Sequence, residues 1–263
     1  MATYTQITVE RTFQNKIATI TMRRAETHNA FNVQLIEDLR TAFTDLNIDQ
    51  RLHAVVLTGD GPSFSAGADL NMMKASTTFT QEQNLNDALR LADLFDLINT
   101  FPCPVIARVN GTAMGGGVGL VSVCDIVIAA ENARFAFSEV KLGIAPAVIS
   151  PYIVRKIGET HARVLFVTGE RFSAAHAREI GLVHIVAPLE EIDAAVEKVL
   201  RELLSSGTLA IRACKALALN VGQMDHNTAR LYTAETIARL RVSDEGQEGL
   251  RSFLEKRKPS WVP

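Results

Sequence analysis

The start of the chain alternates between strand-like and helix-like patterns. Three segments rich in Ile, Val and Thr predict β-strands: "ITVERT", "IATITMR" and "HAVVLTG". Between the second and third, Leu35, Ile36, Leu39, Phe43 and Leu46 recur at helical spacing and predict an amphipathic helix. The pattern therefore predicts two strands, a helix and a third strand.

The middle of the chain continues this alternation around a loop of small residues. The stretch "GDGPSFSAGADL" predicts a loop, and Asp69 is placed to cap the helix that follows. An amphipathic helix, "EQNLNDALRLADLFDLINT", and a strand, "PVIARVNG", come next. A short helix, "GLVSVCD", then leads to the strands "IVIAA" and "RFAFSEV", and the second of these ends near Glu139.

The second half is mostly helical. Three short helices are predicted over "SPYIVRKIG", "ETHARVLFVTG" and "SAAHAREIG", the last capped by Ser173 and ended by Gly181. After one strand, "LVHIVAP", helices run from about Leu189 to Lys258. This order predicts the α/β class, with a core over residues 1–200 and a helical region over residues 201–263.

Composition narrows the class of protein. The chain is 47% hydrophobic and 21% charged, with a net charge of −2, so charge gives no case for nucleic-acid binding. The start does not resemble a targeting peptide, and no apolar run reaches the roughly 20 residues that span a bilayer. The cysteines at 103, 124 and 214 are scattered, which predicts reduced thiols packed as small apolar side chains in a cytoplasmic protein.

The motifs of several enzyme classes are missing from the sequence. There is no P-loop, no dinucleotide-binding fingerprint and no nucleophile elbow, since "GPSFS" lacks the final glycine. The six histidines show no metal-binding spacing, so we expect no metal. Two glycine-containing loops and one carboxylate at a strand end remain as candidate chemistry.

The glycine run in "TAMGGGVGLVSVCD" has two explanations. Gly115, Gly116 and Gly117 can simply let a helix pack closely on a strand. They can also let a ligand approach the free N–H groups at a helix N-terminus, where negative charge is favoured. Together with an N–H group of "SAGADL", such a loop would form an oxyanion hole.

Longer stretches resemble the enoyl-CoA hydratase/isomerase (crotonase) superfamily. These are "FSAGADL", "ARVNGTAMGGGVGLVSVCDIVIAAENARFAFSEVKLGIAP", "GERFSAAHAREIGLVHIV" and "SFLEKRKP". The resemblance implies a spiral of ββα turns, C-terminal helices that build homotrimers or hexamers, and an acyl-CoA thioester substrate. It implies no cofactor beyond the coenzyme A that is part of the substrate. It also places the oxyanion-hole N–H groups at Ala66 and Gly116.

The resemblance also concerns two carboxylates. Family hydratases carry one glutamate after the glycine triplet and one after the next strand. The second is Glu139, the predicted proton carrier, but the position of the first is Gly119. We expect a polar side chain, the substrate's carboxylate or an ordered anion to hold water in the space that Gly119 leaves.

Several activities remain open at this point. With one glutamate, a hydratase or dehydratase would use Glu139 at the α-carbon, and a delta isomerase would use it as the sole proton shuttle. Decarboxylase, dehalogenase, carbon–carbon lyase and non-catalytic alternatives use the same scaffold. The sequence around Glu139 resembles those of methylglutaconyl-CoA or carboxygeranoyl-CoA hydratases.

The same resemblance assigns binding residues. It predicts an acyl pocket lined by Val148, Ile149, Ser150 and Tyr152, with Lys141 either facing that pocket or exposed at a turn. The predicted coenzyme A contacts are Arg24, Ala25, Gly67, Ala68, Asp69, Leu70, Phe253 and Lys256. The last two would reach the ligand from a neighbouring subunit, where a lysine suits the anionic phosphates.

Overall fold

The computed structural model describes residues 4–262, which form two sheets surrounded by helices. The strands are β1 Ile7–Thr12, β2 Ile17–Met22, β3 Ala54–Gly59, β4 Ser63–Ser65, β5 Val105–Val109, β6 Thr112–Met114, β7 Ile126–Ala130, β8 Arg134–Ala136, β9 Arg171–Ser173 and β10 Ile185–Ala187. The helices are α1 Val33–Asn47, α2 Leu70–Ser76, α3 Gln81–Asn99, α4 Gly116–Val123, α5 Ser150–Thr168, α6 Ala174–Glu179, α7 Ile192–Leu204, α8 Thr208–Asn220, α9 His226–Val242 and α10 Asp244–Leu254.

The larger sheet has six strands in the order β1-β2-β3-β5-β7-β10. Only β1 and β2 pair antiparallel, and the other neighbours are parallel. Every residue of β3 is buried, because helices cover both faces of the sheet. Val55 and Leu57 belong to the main core, whereas Val56 packs with Ile192 and Val196 of α7 on the opposite face.

The smaller sheet, in the order β4-β6-β8-β9, brings the candidate site together. Strands β4, β6 and β8 pair parallel to one another, so their carboxyl ends lie at the same edge. Each has only three residues, too few for a clear alternation of side chains. For this reason the sequence predicts neither β4, which lies in "GDGPSFSAGADL", nor β6, which lies at the start of the glycine motif.

The two sheets confirm the predicted α/β class and its ββα turns. Strands β3, β5 and β7 are neighbours in the larger sheet, and the strand that follows each of them is a neighbour in the smaller one. A helical segment comes after each pair of strands. The strand predicted over "RFAFSEV" is shorter than expected, because β8 ends at Ala136 and the chain forms a 3₁₀ turn over Ser138–Leu142.

Local capping follows the sequence. Asp69 accepts a hydrogen bond from the Asn71 N–H at 2.8 Å, and Ser173 accepts one from the His176 N–H at 3.2 Å, so both predicted caps are confirmed. The two helices predicted over residues 150–169 run together as α5, with a break at Gly158, where φ is +73°. Glycine reaches this backbone conformation without steric conflict.

The three cysteines differ in environment. Cys103 and Cys124 are buried in the main core, where burial raises the pKa of each thiol to about 12. Both therefore pack as small apolar side chains, as predicted. Cys214 is exposed on α8, which contradicts the prediction for that position.

The C-terminal helices are attached to the core by polar contacts. The Lys215 Nζ of α8 lies 2.7 Å from the Asp125 carboxylate, which also accepts the Val105 N–H at 2.7 Å. The Arg212 guanidinium donates to the carbonyl oxygens of Asp49 and Leu52. The boundary predicted between residues 200 and 201 stays a prediction. Over residues 4–262, no helix is long and apolar enough to cross a membrane.

We predict that replacing Lys215 by Met destabilises the fold. The change leaves a partly buried carboxylate without its cation, and we expect a loss of about 3 kcal/mol in the free energy of unfolding, measured by urea titration. Arg163→Met is the matched control, because its partner Glu159 lies on the exposed surface of α5 and such pairs contribute less than about 1 kcal/mol. Equal effects of the two changes would contradict the role given to Lys215.

Candidate active site

The first part of the site is the N-terminus of α4. Gly115 follows β6 with φ at +46°, and its N–H donates to the Ala136 carbonyl at 2.9 Å. The next N–H group, that of Gly116, finds no acceptor among residues 4–262. A helix leaves its first N–H groups unpaired, and its dipole favours negative charge there. This end of α4 therefore offers a free donor at Gly116, the position that the family resemblance implies, and its oxyanion role stays a prediction.

The second part is the loop that follows β4. The Ala66 N–H donates to the His28 carbonyl at 2.9 Å, so it is not free for a ligand, and the predicted oxyanion role of Ala66 is wrong. Phe31 then bridges the loop, donating to the Gly67 carbonyl at 2.6 Å and accepting from the Asp69 N–H at 2.8 Å. The Ala68 N–H between them has no acceptor in the described part of the chain. The free donor of this loop is that of Ala68.

These two loops are in direct contact. Gly67 has φ at +86°, and a side chain added there would lie 2.7 Å from the Met114 carbonyl oxygen and 3.4 Å from the Gly116 nitrogen. Only a glycine at position 67 allows this approach. The Ala68 and Gly116 N–H groups thus belong to adjoining backbone segments, as an oxyanion hole requires.

Glu139 is the third part of the site. It begins the turn after β8, and its Oε1 would lie 2.9 Å from a side-chain carbon placed on Gly115. Its Oε2 is buried and hydrogen-bonds to nothing in residues 4–262. Burial raises the pKa of the Glu139 carboxyl above its usual value of 4.5, an effect partly offset by its own backbone N–H. A carboxylate with one buried, unpaired oxygen is uncommon in structural roles and typical of proton transfer.

Gly119 does not leave an empty space. A side-chain carbon on Gly119 would overlap Cγ2 of Ile149 and lie 2.8 Å from Cζ of Phe95. Both side chains are buried and apolar. The expectation of a water or anion in this space is therefore wrong, because two hydrocarbon side chains occupy it. Gly119 acts here by its small size.

The predicted coenzyme residues divide into structural and accessible groups. The Arg24 guanidinium is almost buried, donating to the Ala30 carbonyl and pairing with the Asp69 carboxylate at 2.9 Å. Through these bonds, both side chains hold the loop that contains Arg24 and Ala30 against the loop that follows β4. Only the backbone groups of Arg24 and Asp69 therefore remain for the predicted coenzyme contacts. Ala25 is half-buried and Leu70 is exposed, which keeps both accessible to a ligand.

Other predicted positions lie away from this cluster or at the surface. Phe253 is 81% exposed in the single chain and Lys256 follows at the end of α10, so their contact from a neighbouring subunit stays a prediction. Lys141 is exposed, and its Cε would lie 3.3 Å from a side-chain carbon on Gly169. Its side chain therefore lies along the Gly169 turn.

The sequence did not predict Ala68 as the free N–H donor or Phe95 as the side chain that fills the space beside Gly119. Phe95 occupies a core position of an amphipathic helix, which gives no sign that it faces Gly119. The choice between Ala66 and Ala68 depends on which N–H the loop of His28 and Phe31 captures. Across residues 4–262, no group of three His, Cys, Asp or Glu side chains could hold a metal ion.

Comparisons with known proteins show the family of the chain. The model of the enoyl-CoA hydratase/isomerase family matches residues 12–262. A crotonyl-CoA hydratase of Syntrophomonas wolfei is 35% identical, with 98% of each chain covered.

Two solved structures show the same fold. The crystal structure of an enoyl-CoA hydratase from Shewanella pealeana is 38% identical, with a TM-score of 0.93 over 98% of this chain and 96% of that one. An enoyl-CoA hydratase of Mycobacterium smegmatis is 31% identical, with a TM-score of 0.93 over 98% of this chain and 100% of its own. The family match and these similarities along nearly the whole chain show that the protein belongs to the enoyl-CoA hydratase/isomerase family, the crotonase superfamily.

Proposed function

We propose that the protein is an enoyl-CoA hydratase that interconverts a 2-enoyl-CoA and a 3-hydroxyacyl-CoA. The observation that carries this proposal is the Glu139 carboxylate, whose buried Oε2 has no partner in residues 4–262 and which lies against Gly115 beside the free N–H groups of Gly116 and Ala68. The hydratase names of relatives that are similar along nearly the whole chain support the same reaction.

The two N–H donors stabilise the charge that develops during the reaction. As a nucleophile adds to C3 of the enoyl thioester, negative charge grows on the thioester oxygen. Fixed donors from Gly116 and Ala68 favour this charge without reorganisation, and loss of one such donor in known enzymes costs roughly 3 kcal/mol. The N-terminal end of the α4 dipole acts in the same direction.

Glu139 carries both proton transfers in this proposal. Its carboxylate takes a proton from water while the water oxygen bonds to C3 and the C2–C3 π electrons move toward the thioester. The protonated Glu139 then gives that proton to C2, and the carboxylate is restored. One group suffices because the proton that it receives is the proton that it returns. The raised pKa of Glu139 suits this double role, since a general acid–base group is most effective when its pKa lies near the working pH.

An enoyl-CoA delta isomerase is the second candidate, and the apolar filling of the Gly119 position favours it. Phe95 and Ile149 offer no group that holds water. In an isomerase, Glu139 would remove a proton from C2 of a 3-enoyl-CoA, and the electrons would shift so that a double bond forms between C2 and C3. Glu139 would then return the proton to C4, with no water involved.

The apolar side chains that fill the space beside Gly119 also support an uncharged acyl group in the substrate. The side chains beyond the oxyanion donors are those of Phe95 and Ile149, and Val148 packs against the same core. A distal carboxylate would be desolvated there without a partner, which is unfavourable. We therefore propose a simple acyl chain in preference to a methylglutaconyl group, since Lys141, the candidate partner for its distal carboxylate, lies along the Gly169 turn.

A homotrimer or hexamer in the cytoplasm also stays part of the proposal. The apolar side chains of Leu250, Phe253 and Leu254 on α10 are each at least 50% exposed in the single chain. Contiguous exposed apolar surface is typical of a protein interface.

We predict that Glu139→Gln removes catalysis and leaves coenzyme binding. Because the variant lacks its proton carrier, kcat should fall roughly 100- to 10,000-fold. The reaction is measured by the ultraviolet absorbance of the enoyl thioester. The substrates are crotonyl-CoA for hydration and a 3-enoyl-CoA for isomerisation, with 3-methylglutaconyl-CoA to test a charged acyl group.

Glu170→Gln is the matched control, because Glu170 is exposed and should keep wild-type activity. Wild-type turnover of the 3-enoyl-CoA alone would select the isomerase. An unchanged rate in Glu139→Gln would contradict the proposed role of this carboxylate.

We also predict that Glu139→Gln raises the free energy of unfolding at neutral pH. The folded state raises the pKa of this carboxyl, so the wild type loses stability as pH rises from 4.5 through that higher value. The Gln variant has no such loss. Urea titrations from about pH 4 to about pH 8 should show the two proteins diverging as pH rises. Curves that run parallel would show that Glu139 is not desolvated in solution.

A third prediction concerns the packing at Gly119. The Ala side chain of Gly119→Ala would overlap Ile149 and crowd Phe95, so we expect a loss of about 1–3 kcal/mol in the free energy of unfolding. Gly222→Ala is the control, because nothing lies within 4 Å of the added carbon and its φ is not positive. That change should be neutral or stabilise by up to about 1 kcal/mol. A neutral Gly119→Ala would mean that the Gly119 space is open.

A further inference from the structure

Three aromatic rings form a row along one side of α4. Phe31 lies at the oxyanion end, where its Cε2 would lie 2.9 Å from a side-chain carbon on Gly116. The ring centroids of Phe31 and Phe95 are 6.4 Å apart, and those of Phe95 and Tyr152 are 6.3 Å apart, both in edge-to-face geometry. The row therefore leads from the oxyanion donor toward Tyr152.

This row lies where an acyl chain would extend. Gly116 and Gly119 are three residues apart and share one face of α4. Gly119 lies about 4.5 Å farther along the helix axis, a distance that the first few carbons of an acyl chain cover. At that point an acyl chain would meet the side chains of Phe95 and Ile149, which are both buried.

A groove lies on the other side of Tyr152. It has a volume of about 500 Å³ and runs between α3, α5 and α8, with Asp96, Arg155 and Arg212 among its lining residues. Tyr152 is half-buried and lines this groove while its ring contacts Phe95. The volume is within the range of small-molecule pockets. The rings of Phe95 and Tyr152 therefore stand between the groove and the Gly119 face of α4.

We propose that Phe95 and Tyr152 end the acyl pocket and restrict the substrate to short acyl chains. The proposal rests on the proposed function, because it assumes an acyl-CoA bound at Gly116 and Ala68. A longer chain would have to displace two packed rings, which a tightly packed interior resists. Without the Tyr152 ring, the space beyond Phe95 would join the groove and admit further methylene groups.

The test measures binding of unreactive saturated acyl-CoAs, so it does not depend on turnover. Isothermal titration calorimetry gives the Kd of butanoyl-CoA and of decanoyl-CoA for the wild type and for Tyr152→Ala. We expect the wild type to prefer butanoyl-CoA. Tyr152→Ala should shift the ratio of the two Kd values toward decanoyl-CoA by about tenfold or more, since burying two methylene groups is worth that much.

Three further variants separate the ring from other effects. Tyr152→Phe keeps the ring and removes the hydroxyl, so the Kd ratio should stay as in the wild type. Phe95→Leu removes the other ring of the barrier and should shift the ratio in the same direction, which decides the matter if Tyr152→Ala does not fold. Phe43→Leu truncates a buried ring that packs on Phe101 and should leave the ratio unchanged.

Each outcome bears on the proposal. A wild type that binds decanoyl-CoA at least as tightly as butanoyl-CoA would overturn it, as would folded Tyr152→Ala and Phe95→Leu proteins with the wild-type ratio. Crotonyl-CoA turnover, measured on the same preparations, tests the proposed reaction separately. A shifted Kd ratio without turnover would support the barrier and overturn the hydratase proposal, whereas no binding of either thioester would overturn both.

Discussion

The candidate site depends on the parallel pairing of three very short strands. Strands β4, β6 and β8 each have three residues, and their pairing brings their carboxyl ends to one edge. Ala68, Gly116 and Glu139 all follow these ends within a few residues. The larger sheet fixes this arrangement, because β3, β5 and β7 are paired neighbours and each is joined to one short strand by a brief connection. In open α/β sheets, too, ligands bind at the carboxyl ends of parallel strands.

The loops at this edge keep their donors free because other groups are fully engaged. His28 and Phe31 take up the neighbouring N–H groups, and the buried pair of Arg24 and Asp69 holds the two ends of the loop. Within residues 4–262, the N–H groups of Ala68 and Gly116 and the Oε2 atom of Glu139 stay without a partner. The Glu139 oxygen is buried, and an unpaired buried oxygen reduces stability, so its place beside two free donors calls for a reactive role rather than a structural one.

Gly119 shows why a missing residue has to be interpreted with its neighbours. Where family hydratases carry a glutamate, this chain has a glycine whose space Phe95 and Ile149 occupy. The change therefore places apolar side chains where those hydratases carry a carboxylate. The same filling continues through the ring of Tyr152, so the proposed chemistry and the proposed length of the acyl pocket depend on one packing arrangement.

The sequence by itself determined the α/β class, most strands and helices, the caps at Asp69 and Ser173, and the candidates Gly116 and Glu139. These features depend on periodicity, local capping and extended motifs, all of which are read within short segments. Only the tertiary structure decided that Ala68 and not Ala66 offers the free donor, that Arg24 is an internal brace, and that the Gly119 space is filled. These outcomes depend on strand register and on side chains from distant helices, and no local pattern encodes which backbone group or ring a distant segment will meet.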